Sequence, residues 1–132
     1  MTAVLLDTHA LVWNLDRPAR LGARARAAIE AATGVNVSPI SFYEIGQKVR
    51  LGRWAEAAAL LPRIQAVFSE RGGQVVALTA EVCLSAATLD WDHRDPFDRM
   101  IAATCLAERL TLVSADAVFD GLRGNSRVTR VW

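Results

Sequence analysis

Four acidic side chains that are far apart in the chain stand where they could act together. Each follows a short apolar segment or lies near the start of a helical one. Converging carboxylates repel one another unless a cation joins them or their pKa values rise. Hard divalent cations prefer oxygen ligands, and one or two Mg²⁺ ions can activate water and neutralise a phosphodiester. The candidates for such a site are Asp7, Glu44, Asp98 and Asp116.

Short apolar segments alternate with helical ones along the chain, and these elements must position the acids. The pattern predicts strands at 4–6, 35–38, 74–78, 112–114 and 128–131. It predicts helices at 8–15, 21–32, 41–51, 54–71, 80–89 and from 96 onward, with a break at Pro62. This alternation is typical of an α/β domain with a mostly parallel central sheet flanked by helices. Because ligands bind at the carboxyl ends of such strands, the acids are expected at one edge of the sheet.

Each acid also has an ordinary structural interpretation. The Ser41-x-x-Glu44 spacing matches a capping box, in which Glu44 would contact the backbone at the helix start. Asp-Pro-Phe-Asp at 95–98 has the residue order of a helix N-terminus. Asp7 and Asp116 could cap the helical segments that follow them. A purely structural explanation must place four acids at one edge independently, so the set favours a shared site.

Other catalytic arrangements are not supported. The sequence contains no G-x-x-x-x-G-K-[ST] loop, no G-x-G-x-x-G fingerprint and no G-x-S-x-G turn. His9 and His93 lack metal-ligand spacing. His93 directly precedes the segment 94–99 and could touch the site, but a loop or core position is favoured for it. Cys83 and Cys105 have no CxxC spacing and are expected to be reduced thiols. The tryptophans could stack on bases or be buried at an interface, but core or dimer packing is favoured for each of them. They are Trp13, Trp54, Trp91 and Trp132.

Composition fits one globular domain, with 132 residues, 52% of them hydrophobic and 22% charged. The net charge is only +1, but residues 17–71 carry nine basic and four acidic groups, and fourteen of the fifteen basic residues are arginine. Arginine suits phosphate contacts, although a solvated helical surface would look the same. No apolar run is long enough to span a membrane, and no basic segment of a secretory signal is present, so a cytoplasmic protein is expected.

Several segments resemble PIN domains, and more closely the VapC toxins of type II toxin–antitoxin systems. They occur in the family's order and span nearly the whole chain, so residues 1–132 are expected to form a single PIN domain. Asp-Pro-Phe-Asp-Arg followed by Ile-Ala-Ala is the most specific part of the resemblance. The matching segments are Leu5–Leu11, Ser41–Glu44, His93–Ala103 and Leu112–Asp116.

The resemblance implies a PIN-like (Rossmann-like) three-layer fold and an endoribonuclease that depends on Mg²⁺ or Mn²⁺. Asp7 and Asp98 match the principal metal ligands, while Glu44 and Asp116 match positions that bind a second ion or the water. Asp95 is expected to cap its helix or to support Asp98. The small hydroxyl positions beside the first and last acids, which could hold a ligand or a phosphate, are Thr8 and Ser114. Lys48 follows Glu44 by four residues, and a surface pair between them would leave the acidic site intact.

The resemblance further implies an RNA substrate, a cognate antitoxin and a homodimer. A housekeeping PIN-type RNA-processing nuclease would use the same catalytic residues, so that alternative stays open. A non-catalytic PIN module that binds RNA or protein would be expected to lack one of the acids, and all four are present. A phosphoacceptor signalling domain is disfavoured, because Asp7 has no acidic neighbour and no lysine follows the strand that ends at Ser114.

Overall fold

A parallel five-stranded sheet forms the centre of the computed structural model, which describes residues 2–132. The strands are β1 (Val4–Leu6), β2 (Val35–Val37), β3 (Gln74–Val75), β4 (Thr111–Val113) and β5 (Arg130–Val131). The α-helices within these residues are α1 (Thr8–Asp16), α2 (Ala23–Ala31), α3 (Pro39–Arg50), α4 (Ala55–Ala58), α5 (Ile64–Glu70), α6 (Ala80–Thr88) and α7 (Pro96–Glu108). Short 3₁₀ turns lie at Pro18–Arg20, Leu61–Arg63 and Ala117–Gly121.

The sheet is covered on both faces, which gives the three layers that were expected. Its strand order is β3-β2-β1-β4-β5, and every neighbouring pair is parallel. Successive side chains of a strand point to opposite faces. Val4 and Leu6 of β1 pack in a core with α1 to α5, whereas Leu5 packs in a second core with α7. The predicted α/β class is therefore confirmed, with a sheet that is wholly rather than mostly parallel.

The strand order places a crevice between the carboxyl ends of β1 and β4. The chain runs from β1 to β2 on one side and reaches β4 on the other, so the connections diverge at this point. Open parallel sheets bind ligands at such a point. The two strand ends are joined directly, because the Asp7 amide donates to the Val113 carbonyl at 3.0 Å. The residues after β1 and β4 are thereby held side by side.

Helix α3 begins earlier than the sequence pattern predicts. Ser38 is its N-cap, and the Ser38 hydroxyl accepts a hydrogen bond from the Ile40 amide at 3.2 Å. Pro39 occupies the first helical position, where its missing N–H is tolerated, so it starts the helix rather than only ending the strand. Glu44 consequently lies in the second turn, and the capping box predicted for Ser41 and Glu44 is wrong.

The other differences between the predicted and the observed elements lie at the ends of strands and helices. The predicted strands at 74–78 and 128–131 are only two residues long, and both lie at an edge where one neighbour supplies hydrogen bonds. The predicted helix at 54–71 is divided into α4 and α5 by a 3₁₀ turn that contains Pro62, as expected. Both cysteines are free thiols. None of the helices in residues 2–132 combines the length and the apolar character that crossing a membrane would need.

Candidate active site

A cavity of about 550 Å³ lies at the carboxyl ends of β1 and β4. All four predicted acids line it, and they come from four separate parts of the fold. Asp7 follows β1, Glu44 lies on α3, Asp98 lies on α7 and Asp116 follows β4. The cavity therefore collects carboxylates that are distant in sequence, at the edge where the strand pattern placed them.

Asp7 lines the cavity, and hydrogen bonds from two adjacent residues hold its carboxylate. Its Oδ1 accepts from the Thr8 amide at 2.7 Å, which caps α1, and its Oδ2 accepts from the Ser114 hydroxyl at 2.6 Å. Burial raises the pKa of Asp7, and the charges of Glu44 and Asp116 raise it further. The hydrogen bonds from Ser114 and Thr8 oppose this rise in pKa. The Asp7 carboxylate is thus well oriented but electrostatically strained when it is ionised.

Glu44 is buried, with 7% of its surface exposed. The Thr8 hydroxyl donates to Glu44 Oε1 at 2.6 Å, and the Lys48 ammonium lies 3.0 Å from Glu44 Oε2. The pair with Lys48 was expected at the surface, and this was wrong on the Glu44 side because α3 directs that carboxylate inward. Each oxygen of Glu44 therefore has a protein partner.

Asp98 is held by His93, for which contact with the site was the less favoured alternative. The His93 Nε2 atom lies 2.6 Å from Asp98 Oδ2, so the loop or core position expected for His93 was an incomplete description. Burial raises the pKa of Asp98 to about 6, opposed by the His93 hydrogen bond and assisted by the charges of Asp7 and Asp95. Because the pKa of Asp98 is raised to about 6, a cation would have to compete with a proton for this carboxylate below that pH, so cation binding should strengthen as pH rises through 6.

The loop that carries His93 is anchored by Arg99. The Arg99 guanidinium donates from Nε, Nη1 and Nη2 at distances of 2.7–3.0 Å. Its acceptors are the backbone carbonyls of Ala86, Leu89, Trp91 and His93. One planar side chain thereby joins the end of α6, the loop and α7. The arginine of the Asp-Pro-Phe-Asp-Arg motif was the available sequence signal, but its acceptors are visible only in three dimensions.

Asp95 and Asp116 each cap the helical segment that follows them and also line the cavity. Asp95 Oδ1 accepts from the Phe97 amide at 2.8 Å, which confirms the predicted cap of α7, and Asp95 also lines the cavity. Asp116 Oδ1 accepts from the Val118 amide at 3.0 Å, and its side chain is exposed. The ordinary interpretation of these acids is therefore true without excluding a chemical one.

The four predicted acids share the cavity without forming one tight cluster. Within residues 2–132, the one group of three or more acidic, histidine or cysteine residues whose ligand atoms all lie within 4.8 Å of one another is His93, Asp95 and Asp98. Asp98 is drawn toward His93, and Glu44 is drawn toward Thr8 and Lys48. These partners spread the carboxylates around the cavity wall.

Thr8 and Ser114 lie behind the acids. Each is about 1% exposed, and neither is among the residues that line the cavity. The Thr8 hydroxyl donates to Glu44, and the Ser114 hydroxyl donates to Asp7 while it accepts from the Asp116 amide at 3.1 Å. In the structure these two hydroxyls orient the carboxylates.

One side of the cavity is aromatic. His9, Trp13 and Trp132 line it, whereas Trp54 lies beneath His9 and is only 8% exposed. Core packing is confirmed for Trp54 and Trp91, and Trp13 and Trp132 are partly buried against the same core as Trp54 while they also line the cavity. Burial lowers the pKa of His9, and the nearby charge of Lys48 lowers it further. The spacing of His9 and Trp13, four residues apart at the start of a helix, was the signal for a shared face.

The chain is similar in sequence or in fold to several known proteins. The family profile described as PIN domain matches residues 4–125. The chain is 33% identical over 133 residues to Ribonuclease VapC22 of Mycobacterium tuberculosis, and the match covers 100% of both. The crystal structure of VapBC2 from Rickettsia felis bound to a promoter DNA fragment matches 97% of this chain and 98% of that one, with a TM-score of 0.64 at 14% identity. The DNA-bound VapBC structure from Salmonella typhimurium matches 98% of both chains, with a TM-score of 0.64 at 17% identity. The two crystal structures share the fold, and the sequence matches show that this chain belongs to the PIN domain family.

Proposed function

We propose that this chain is a metal-dependent endoribonuclease that acts as the toxin of a type II toxin–antitoxin system, and that residues 1–132 form a single PIN domain. The observation that carries the proposal is the cavity between β1 and β4, which is lined by Asp7, Glu44, Asp98 and Asp116. The full-length relative named a ribonuclease supports the activity, and the neighbours titled VapBC support the biological role.

The donor set of the cavity fits a divalent cation such as Mg²⁺ or Mn²⁺. Its acids offer carboxylate oxygens, which hard cations prefer. The pKa values of Asp7 and Asp98 are raised by burial and by neighbouring acids, so a cation would relieve an unfavourable charge density. We assign Asp7 and Asp98 as the principal ligands, with Asp116 and Glu44 completing the site. Once bound, the ion would lower the pKa of a water molecule and offset the charge of the scissile phosphate.

Other residues at the cavity orient the proposed metal ligands and the attacking water. Ser114 orients Asp7 through Oδ2, and His93 orients Asp98 through Oδ2. Asp116 is exposed at the cavity, where its carboxylate can accept a hydrogen bond from the attacking water. Thr8 and Ser114 are assigned to positioning rather than to direct contact with RNA, because both are buried.

The proposed partners follow from the same cavity. Its carboxylates outnumber its single lysine, so a basic side chain of a cognate antitoxin would complement it and block the acids. The neighbour titled as a toxin–antitoxin complex from Klebsiella pneumoniae, with a TM-score of 0.63, supports the choice of an antitoxin as partner. We also propose a homodimer and a cytoplasmic location, as the resemblance to VapC toxins implies.

The test combines cleavage in vitro with growth in vivo. Purified protein should cleave single-stranded RNA with Mg²⁺ or Mn²⁺ and lose this activity in EDTA. Asp98→Asn should abolish cleavage, whereas Glu81→Gln, which also changes an acid in the first turn of a helix but lies outside the cavity, should not. Expression of the parent chain, but not of Asp98→Asn, should arrest bacterial growth. Cleavage by Asp98→Asn at the parental rate would refute the site, and active protein without growth arrest would favour a housekeeping nuclease.

A further inference from the structure

The cavity has two chemically different sides. Carboxylates occupy one side, and the other, which we call the aromatic side, consists of His9, Trp13, Trp132 and Lys48. The proposed metal ligands account for the first side only. The aromatic side has no role in holding a cation, yet it forms part of the same cavity.

The aromatic side is a row of rings that begins beside the acids. The His9 ring packs on Trp54 with centroids 4.4 Å apart and an interplanar angle of 30°. The His9 and Trp13 centroids are 5.4 Å apart, and those of Trp13 and Trp132 are 5.7 Å apart. His9 and Trp13 are neighbours because residues four apart share a face of α1. Since Asp7 caps α1, the row starts within two residues of a proposed metal ligand.

Lys48 supplies the positive charge of this side. Among the described residues that line the cavity, it is the one lysine or arginine, facing five carboxylates. Its Nζ atom lies 3.0 Å from Glu44 Oε2 and 5.5 Å from the centroid of the Trp54 ring. An ammonium group has three donors, so contact with Glu44 leaves others for a second acceptor. Glu44 therefore holds the ammonium group of Lys48 at the border between the carboxylates and the rings.

We propose that the aromatic side is a nucleotide subsite, in which Lys48 contacts one phosphate of the substrate and the row of rings packs against an adjoining unpaired base. The inference rests on the proposed function, which makes RNA the polyanion that enters the cavity. Bases within a duplex have their faces covered, so only an unpaired nucleotide can offer a face to these rings. Because every base has such a face, the subsite selects single-stranded RNA without selecting a sequence.

The test measures binding rather than cleavage. A labelled single-stranded RNA oligonucleotide is titrated with the Asp98→Asn protein in Mg²⁺ by fluorescence anisotropy, at several salt concentrations. Lys48→Met is compared with Arg50→Met, which removes a basic residue from the same last turn of α3. His9→Ala is compared with Tyr43→Ala, which removes an exposed ring. Tyr43 and Arg50 line a different, smaller pocket.

Each variant has a distinct expected signature. Lys48→Met should weaken binding and reduce the slope of log affinity against log salt by roughly 0.7, the value of one phosphate contact in a single strand. Lys48→Arg should restore the slope. His9→Ala should weaken binding by about fivefold without changing the slope, because it removes stacking. With an abasic oligonucleotide, the His9→Ala effect should vanish and the Lys48→Met effect should remain.

The control variants distinguish a failure of the nucleotide subsite from a failure of the proposed nuclease activity. If Lys48→Met and His9→Ala bind like Arg50→Met and Tyr43→Ala, the subsite is wrong, whatever the parent chain cleaves. Cleavage by the parent chain is measured in parallel and reports on the nuclease itself. Lys48→Met leaves the buried Glu44 charge without its cation, so the double variant Glu44→Gln with Lys48→Met should fold, by circular dichroism, and show the same reduced slope. A parental slope in that double variant would also overturn the subsite.

Discussion

The two proposed principal ligands, Asp7 and Asp98, are held in different ways. Asp7 directly follows a central strand, and its partners Thr8 and Ser114 follow the ends of two neighbouring strands. Asp98 lies in the first turn of α7, and its partner His93 comes from a loop that Arg99 fastens to the end of α6. The orientation of the Asp7 carboxylate thus depends on the sheet, whereas the orientation of the Asp98 carboxylate depends on a loop held by one side chain. The Asp98 half of the cavity should therefore be the easier half to disrupt.

Loss of Arg99 should have the largest effect. Arg99→Ala leaves four backbone carbonyls without their donor. We expect the free energy of unfolding to fall by about 3 kcal/mol, since hydrogen bonds to charged groups contribute roughly 1.5–3 kcal/mol each and water replaces part of them. Urea denaturation measures this, with the exposed neighbour Arg94→Ala as control. Equal free energies of unfolding for the two variants would show that Arg99 does not anchor the loop.

The Asp7 half is tested by Ser114→Ala. This change removes the hydroxyl that donates to Asp7 Oδ2 at 2.6 Å and leaves the adjacent strand ends joined by the backbone. We expect a loss of about 2 kcal/mol in the free energy of unfolding, the cost of a buried acceptor that loses its partner. The exposed Ser85→Ala is the matched control. A loss larger than that of Arg99→Ala would reverse the comparison between the two halves.

His93 should matter to metal binding more than to folding. Partners that orient a metal ligand typically change metal affinity by 10-fold to 100-fold when they are removed. We expect His93→Ala to weaken Mn²⁺ binding by about tenfold in isothermal titration calorimetry. His93→Gln retains a side-chain donor and should recover part of that loss. An unchanged Mn²⁺ affinity in His93→Ala would mean that Asp98 needs no partner to reach its position.

The pH dependence of the metal-free protein tests the two raised pKa values together. The pKa of Asp98 is raised from 3.8 to about 6, and that of Asp7 is also raised, so these two groups bind more protons in the folded state than in the unfolded state. Their contribution to stability should therefore fall as pH rises from about 4 to about 7, and Mg²⁺ should restore it at pH 7. The lowered pKa of His9 acts in the opposite direction, so the contribution of the acids is read from the difference between the parent and Asp98→Asn. Thermal unfolding across this range measures the effect. Asp98→Asn should flatten the profile, and an identical profile in that variant would contradict the raised pKa.

The sequence was sufficient for features that depend on periodicity and on strand ends. It identified the strands around Leu5 and Leu112, the break at Pro62 and the cap at Asp95, because each depends on a local pattern. It also placed the acids at one edge, because parallel strands align their carboxyl ends. These features are set within a few residues of the chain.

Contacts between distant side chains could not be predicted in the same way. The His93 contact with Asp98 depends on the path of a loop, and that path depends on Arg99 contacts up to thirteen residues away. The burial of Glu44 depends on where α3 begins, and Pro39 could be interpreted as ending a strand or as starting a helix. Trp132 reaches the cavity only because β5 joins the sheet beside β4.

The most direct measurement is the anomalous density of a crystal soaked in Mn²⁺. We expect a peak at a coordination distance of roughly 2.0–2.2 Å from oxygens of both Asp7 and Asp98. A peak held by His93 and Asp95 without Asp7, or no peak in the cavity, would contradict a cation site shared between the two halves.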